Sequence, residues 1–214
     1  MNHQDKKEKL FVSGTETIHI FENKFLEWIS TTNHLAPFYI FIPVVLYFAW
    51  ETIFFLINGY YDQPWYIIPL FVGAVFLWTF IEYAGHRFVF HSKPKSNLGK
   101  KLLYVIHGAH HDYPNDPKRV VVPPIVSLTG GVLLYCISYV LFGRIYASPF
   151  FGALVLAYLI YDLFHYASHH VRVSNKYILM LIKHHLDHHY KDPNNGYGFT
   201  TKFWDIVLRT MFKS

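Results

Sequence analysis

Four long apolar runs, residues 37–57, 65–81, 123–142 and 149–164, limit what this 214-residue chain can fold into. Each is near the ~20 residues a helix needs to cross a hydrocarbon layer about 30 Å thick. The breaks at 58–64 and 143–149 both carry Gly and Pro, so each pair of runs should close as a tight hairpin. With 52% apolar residues, 20% aromatic and only 15% charged, the composition is too greasy for an ordinary soluble domain. Apart from Glu51 and Asp162, its charges lie between the apolar runs rather than within them.

Those charges set the orientation. Residues 1–36, 85–121 and 167–214 carry four, seven and seven Lys or Arg, whereas the two hairpin turns carry only Arg144. Basic residues concentrate on cytoplasmic segments. Both termini and the long middle segment are therefore expected in the cytoplasm, at a bacterial inner membrane or the endoplasmic reticulum. The expected fold is an all-α integral membrane protein, four transmembrane helices in two hairpins with a cytoplasmic helical cap. Residues 1–36 read as an amphipathic, interfacial lead-in and 37–214 as the membrane domain. The net charge of +5 suits anionic lipid headgroups, not nucleic acid, because the basic residues flank apolar spans. No cleavable signal peptide is legible in residues 1–21, which lack a hydrophobic segment. The one cysteine, Cys136, lies inside the third run, which excludes a disulfide framework and a thiolate zinc site.

Ten histidines fall in four boxes beside these runs. His86 and His91 are spaced by five, and His165 and His169 by four. His107, His110 and His111 spell H-x-x-H-H, as do His185, His188 and His189. On a helix, residues at i, i+3 and i+4 project from one side. Five residues span about 140° on a regular helix, so His86 and His91 need a kink or a helix end between them. By the charge argument all four boxes emerge on one side of the membrane, which allows one shared centre. Imidazole is the commonest metal-ligand side chain, and ten exceed the four to six that one ion takes. Two ions sharing the set roughly evenly is the natural reading. Such an all-imidazole dinuclear centre suits oxygen chemistry at iron and can also hold zinc. No H-E-x-x-H is present for a zincin-type protease.

Carboxylates near the boxes, Glu82, Asp162, Asp112 and Asp187, are candidate partners for the second imidazole N–H. Glu82 and Asp162 sit at apolar span ends, where an unpaired charge is costly. Tyr83, Tyr161 and Tyr166 flank the boxes and are candidates for lining a greasy substrate slot. His170 and His184 adjoin box members and are expected to lie outside the ligand set.

The four boxes, in this order and between paired spans, resemble the membrane fatty acid hydroxylase superfamily, which includes sterol desaturases and carotenoid hydroxylases. The sequence RVVVPP at 119–124 and the tail GYGFTTKFWD at 196–205 are similar to those of fatty acid 2-hydroxylases. The resemblance implies that all ten box histidines are metal ligands, with dinuclear iron in the active enzyme and zinc able to take its place in purified protein. It implies hydroxylation at carbon 2 of a long acyl chain, free or within a ceramide-type lipid, consuming O2 and two electrons. It also leads to the expectation of an external electron donor, a b-type cytochrome or a ferredoxin with its reductase, because residues 1–35 are too few for the fused cytochrome domain of fungal and animal relatives. A sterol or carotenoid oxygenase, a zinc-dependent membrane lipid hydrolase and a non-catalytic metal-holding protein are the other readings.

Overall fold

The computed structural model describes residues 17–213, so the first sixteen residues of the expected interfacial lead-in lie outside the described residues. Every regular element among the described residues is helical. In chain order these are α1 (Lys24–Ser30), α2 (Ala36–Ile57), a 3-10 turn (Pro64–Tyr66) and α3 (Ile67–Ala84). A π-helical turn (Gly85–Phe90), α4 (Asn97–Leu103), a second π-helical turn (Tyr104–Gly108) and α5 (Ala109–Asp112) follow. The chain ends with α6 (Pro124–His170), α7 (Lys176–Tyr190) and α8 (Phe203–Val207).

Three helical stretches are long and apolar enough to cross a membrane: Ala36–Ile57, Pro64–Phe90 and Pro124–His170. In the third, only 6% of the most apolar window is buried within the protein. Ile57, Ile68 and Val140 stand 76%, 68% and 82% exposed. So much outward apolar surface calls for lipid around it.

The third and fourth runs, expected as separate helices, are two helices that meet at a kink within α6. Its backbone leaves helical geometry at Gly143, where φ is +67° and ψ 168°. That left-handed φ is open to glycine at no steric cost, so the sharp turn sits on the residue where the break was expected to begin. Pro149, expected to end that break, lies within the later arm instead. Proline has no N–H to give the carbonyl four residues back. The carbonyl of Ile145 accepts the Tyr61 hydroxyl instead, at 3.1 Å.

Two compact units make up the protein. One comprises Leu35–Ile81 and Pro124–Asp162. Phe41, Phe48, Ala74, Phe151, Ala153 and Leu154 form its core. Small residues let its helices approach closely: a Cβ on Gly152 would stand 3.1 Å from the Phe48 Cβ. Within this apolar setting Glu51 is 2% exposed. Its carboxylate accepts from Arg144 Nε at 2.8 Å and Nη2 at 2.6 Å, and from the Ser148 hydroxyl. A buried acid between apolar helices persists only when partnered, and Arg144, the lone base of the hairpin turns, is its partner.

The other unit comprises the described residues up to His34, Glu82–Pro123 and the chain from Leu163 onward. All ten box histidines belong to it. Its N-terminal segment is pinned by Arg119, the first residue of the RVVVPP motif. Arg119 is 4% exposed and donates to the Ser30 carbonyl (2.8 Å), the Ser30 hydroxyl (3.0 Å), the Ile18 carbonyl (2.9 Å) and the Glu27 carboxylate. Replacing Arg119 with leucine takes the one strong cationic partner from the half-buried Glu27, which keeps the Ile20 and Phe21 N–H groups, and strands the Ser30 and Ile18 carbonyls. The expected cost is about 3–5 kcal/mol, read as a lower thermal midpoint of the detergent-solubilised protein.

Candidate metal centre

The ring nitrogens converge in two groups of five. His86, His91, His107, His111 and His188 form one, and His110, His165, His169, His185 and His189 the other. Within each group the nitrogens all lie within 4.8 Å of one another. The two groups abut, with the His111 and His189 ring centroids 4.3 Å apart.

Local helix geometry explains this partition. On α7, His185 and His189 point about 40° apart, while His188 is rotated about 60° to the other side of His185. His185 and His189 serve the second group, and His188 serves the first. The H-x-x-H-H box at 107–111 divides in the mirror sense: His107 and His111 serve the first group and His110 the second. Each such box thus gives its i, i+4 pair to one group and its middle histidine to the other. The five-residue spacing of His86 and His91 is resolved by a π-helical turn, in which the N–H of His91 bonds the carbonyl of His86 at 3.1 Å. Winding the turn wider brings i and i+5 together, and the two Nε2 atoms stand 3.2 Å apart.

Protonation is set by the surroundings. His86 Nδ1 lies 2.7 Å from the Tyr197 carbonyl and His188 Nδ1 2.7 Å from the Asn195 carbonyl. A carbonyl only accepts, so both rings carry their proton on Nδ1 and turn a bare Nε2 lone pair inward. His86 Nε2 then faces His107 Nε2 at 3.0 Å, and His188 Nε2 faces His91 Nε2 at 3.1 Å. In the second group His165 Nε2 faces His110 Nε2 at 3.0 Å, and His185 Nε2 faces those of His169 (3.1 Å) and His189 (3.0 Å). Burial pushes His91 and His188 down to about 4 and His111 to about 2, the latter helped by repulsion from His188. Burial first, and neighbouring imidazoles second, hold His107, His110, His185 and His189 well below the ordinary histidine range. Neutral imidazoles with converging lone pairs are what a nitrogen-ligated transition metal requires, and the donor set fits one ion per group.

A pH dependence follows. These folded-state pKa values lie below the ~6.5 of an unfolded histidine. Above that value neither state binds the proton, and the native state keeps its full stability. As the pH falls from about 6.5 toward 4, the unfolded chain takes up protons that the folded one refuses. The chelator-treated protein is therefore expected to lose thermal stability across that window, and metal uptake to fall with it, both measured against pH by thermal melting and metal analysis.

Of the carboxylates expected to serve imidazoles, Glu82 and Asp187 are bonded to other groups. Glu82 accepts from the backbone N–H groups of Phe199 (2.6 Å) and Thr200 (2.9 Å) and from the Thr200 hydroxyl, so it holds a loop. Asp162 is 2% exposed and finds no well-aligned partner among the described residues, an imidazole included. Asp187 forms an i, i+4 ion pair with Lys183 at 2.8 Å. Asp112 lies against the Tyr104 hydroxyl, which burial and this acid push up to about 12. Each lies close to a box in sequence, Glu82 and Asp162 one helical turn before a box histidine, and spacing alone did not decide their partners.

Of the candidate slot residues, Tyr83 is fully buried, and its hydroxyl is bonded to Thr210 Oγ1 and Arg87, each at 2.8 Å. It is a packing residue with no surface for a lipid. Tyr166 is stacked on His34 (4.2 Å) and His170 (4.4 Å), which occupies its ring. Tyr161 packs against Trp78 at 5.9 Å. His170 and His184 join neither group. His184 instead lies 3.0 Å from Asp205, a buried acid that spacing from the boxes did not single out. The one signal for Asp205 was its place at the end of GYGFTTKFWD.

A family model described as fatty acid hydroxylase matches residues 71–210, which holds every box and the tail motif. The chain belongs to the fatty acid hydroxylase family. It is 34% identical over 200 residues to the dihydroceramide fatty acyl 2-hydroxylase FAH1 of Arabidopsis thaliana, covering 94% of this chain and 82% of that one. It is also 34% identical over 214 residues to the fatty acid 2-hydroxylase of Homo sapiens, covering 92% of this chain but 57% of the human one. A solved structure, full-length scs7p with only the hydroxylase domain visible, superposes with a TM-score of 0.79 at 32% identity. It covers 89% of this chain and 70% of that one. This hydroxylase family member is thus all-helical, with apolar helices fit to span a membrane and two histidine groups able to hold metal ions.

Proposed function

We propose that this protein hydroxylates carbon 2 of a long acyl chain, free or within a ceramide-type lipid, at a centre of two metal ions held one by each histidine group. The observation that carries the reading is the five-and-five convergence of ten imidazoles in a chain whose relatives are named as fatty acyl 2-hydroxylases. Bound iron, with O2 and two electrons, would supply the oxidising power that replacing an unactivated C–H by C–OH demands, the second oxygen atom leaving as water. The chain's own residues fix the geometry. His86 and His188 are locked in one tautomer by the Tyr197 and Asn195 carbonyls. Burial of His107, His110, His185 and His188 keeps bulk water from the nitrogens. Neither group includes a carboxylate to act as general base for hydrolysis.

The same proposal includes the topology: four membrane passes in two hairpins, with 1–36 as a lead-in to a hydroxylase domain of 37–214. The break at Gly143 divides α6 into two arms of membrane-spanning length. The Lys and Arg asymmetry favours a cytoplasmic side for 1–36, 85–121 and 167–214, all the more because Arg144 is neutralised by Glu51. Electrons would come from a redox protein such as a b-type cytochrome or a ferredoxin with its reductase.

The test loads the protein with iron without oxygen, then adds ceramide or fatty acid, O2 and reductant. A gain of one oxygen at carbon 2 by mass spectrometry is the expected result. Activity that persists without O2 and reductant would instead establish a hydrolase. Modified sterols or carotenoids, with no 2-hydroxy acyl product, would move the enzyme to another branch of the superfamily.

A further inference from the structure

The tail motif has a physical task that its resemblance to other tails does not explain. Across residues 196–200 every backbone N–H is captured. Gly196 donates to the Thr210 carbonyl at 2.8 Å. Tyr197 and Gly198 donate to the two Asp205 oxygens at 2.9 and 2.8 Å. Phe199 and Thr200 donate to Glu82. Asp205 is fully buried and also accepts from Thr210 Oγ1 at 2.7 Å, with His184 Nε2 at 3.0 Å. Two buried carboxylates therefore clamp the donor edge of this segment. Its carbonyls at Asn195 and Tyr197 are the ones that meet His188 and His86.

Both of those imidazoles belong to the first group. The second group is supported differently: Nδ1 of His110, His169 and His189 is buried with no hydrogen-bond partner among the described residues. The tail meets that group at the Phe199 ring, 4.9 Å from His185 and 5.9 Å from His165. Phe199 is tied to Glu82, not to Asp205.

We infer that Asp205 is a positioning residue for one ion of the pair: it holds the Gly198 N–H, and with it the Tyr197 carbonyl that orients His86, and it reaches the Asn195 carbonyl that orients His188 through Thr210, whose carbonyl holds the Gly196 N–H, while it bonds no ring of the second group. The inference rests on the reading that each group binds an ion. Outer hydrogen-bond partners of metal-ligating histidines are worth about 10–100-fold in metal affinity, so the two sites should respond unequally to one substitution.

The test titrates Co2+ into the full-length, metal-stripped protein, following its visible absorption and the bound metal per chain. Two backgrounds isolate the groups: H185A/H189A disables the second and H91A/H107A the first. Asp205→Asn is expected to weaken Co2+ binding about 10–100-fold in the H185A/H189A background and to leave it unchanged in the H91A/H107A background. Thr210→Val, a gentler loosening of Asp205, should shift the same site in the same direction by less. Asp187→Asn, whose acid is spent on Lys183, should shift neither. Equal weakening in both backgrounds, or no weakening in either with both Asp205→Asn and Thr210→Val, overturns the inference while the two-ion reading survives. A wild-type chain that takes up no metal overturns both.

Discussion

Replacing His188 with alanine is expected to lower formation of 2-hydroxy acyl product by more than about 100-fold, since even a ligand's hydrogen-bond partner is worth 10–100-fold. His188 is fully buried and is the only member of the first group that comes from α7. The other four come from the two π-helical turns and the residues that follow them. Its loss opens one side of that group and frees the Asn195 carbonyl, while the second group keeps all five rings. The membrane fold should persist, because its apolar core is built from Phe41, Phe48, Phe151 and their neighbours and contains no imidazole. Product quantified in lipid extracts, beside metal per chain, checks this. Unchanged product would remove the two-group centre from the mechanism. His185→Ala should have a comparable effect through the second group, whereas His170→Ala, one residue past His169 but in neither group, should keep both metal and product.

The second large effect is at Gly198. A Cβ there would lie 2.3 Å from the Thr201 carbonyl oxygen and 3.0 Å from Asp205 Oδ2. The first of these is backbone, so it cannot swing away, and the second belongs to the clamp on the tail. Gly198→Ala is expected to destabilise the protein by about 3 kcal/mol, the upper end of ordinary overpacking. The thermal midpoint should fall by roughly 6–12 °C and metal content with it. Gly143→Ala offers the comparison: a Cβ there meets nothing within 4 Å. Its cost comes from the backbone conformation alone, φ +67° with ψ 168°, about 1–3 kcal/mol, and should leave metal content intact. Equal metal loss in the two variants would mean that the tail has no special relation to the centre.

What the sequence determined by itself was whatever repeats locally. Apolar run length announced the spanning helices, and histidine spacing named the ten converging residues, because both are read within one or two helical turns. Charge bias likewise needed no coordinates to suggest an orientation. The tertiary structure decided what depends on distant partners. It sent His110 and His188 to the opposite group from their box neighbours and wound a π-turn to reconcile His86 with His91. Glu82 is matched to Phe199 across 117 positions, and Tyr83 to Thr210 across 127. Spacing carries no information over such separations. A buried carboxylate bonds whichever donors the fold brings to it, and here those donors were the backbone of the tail rather than the nearest imidazole in the chain.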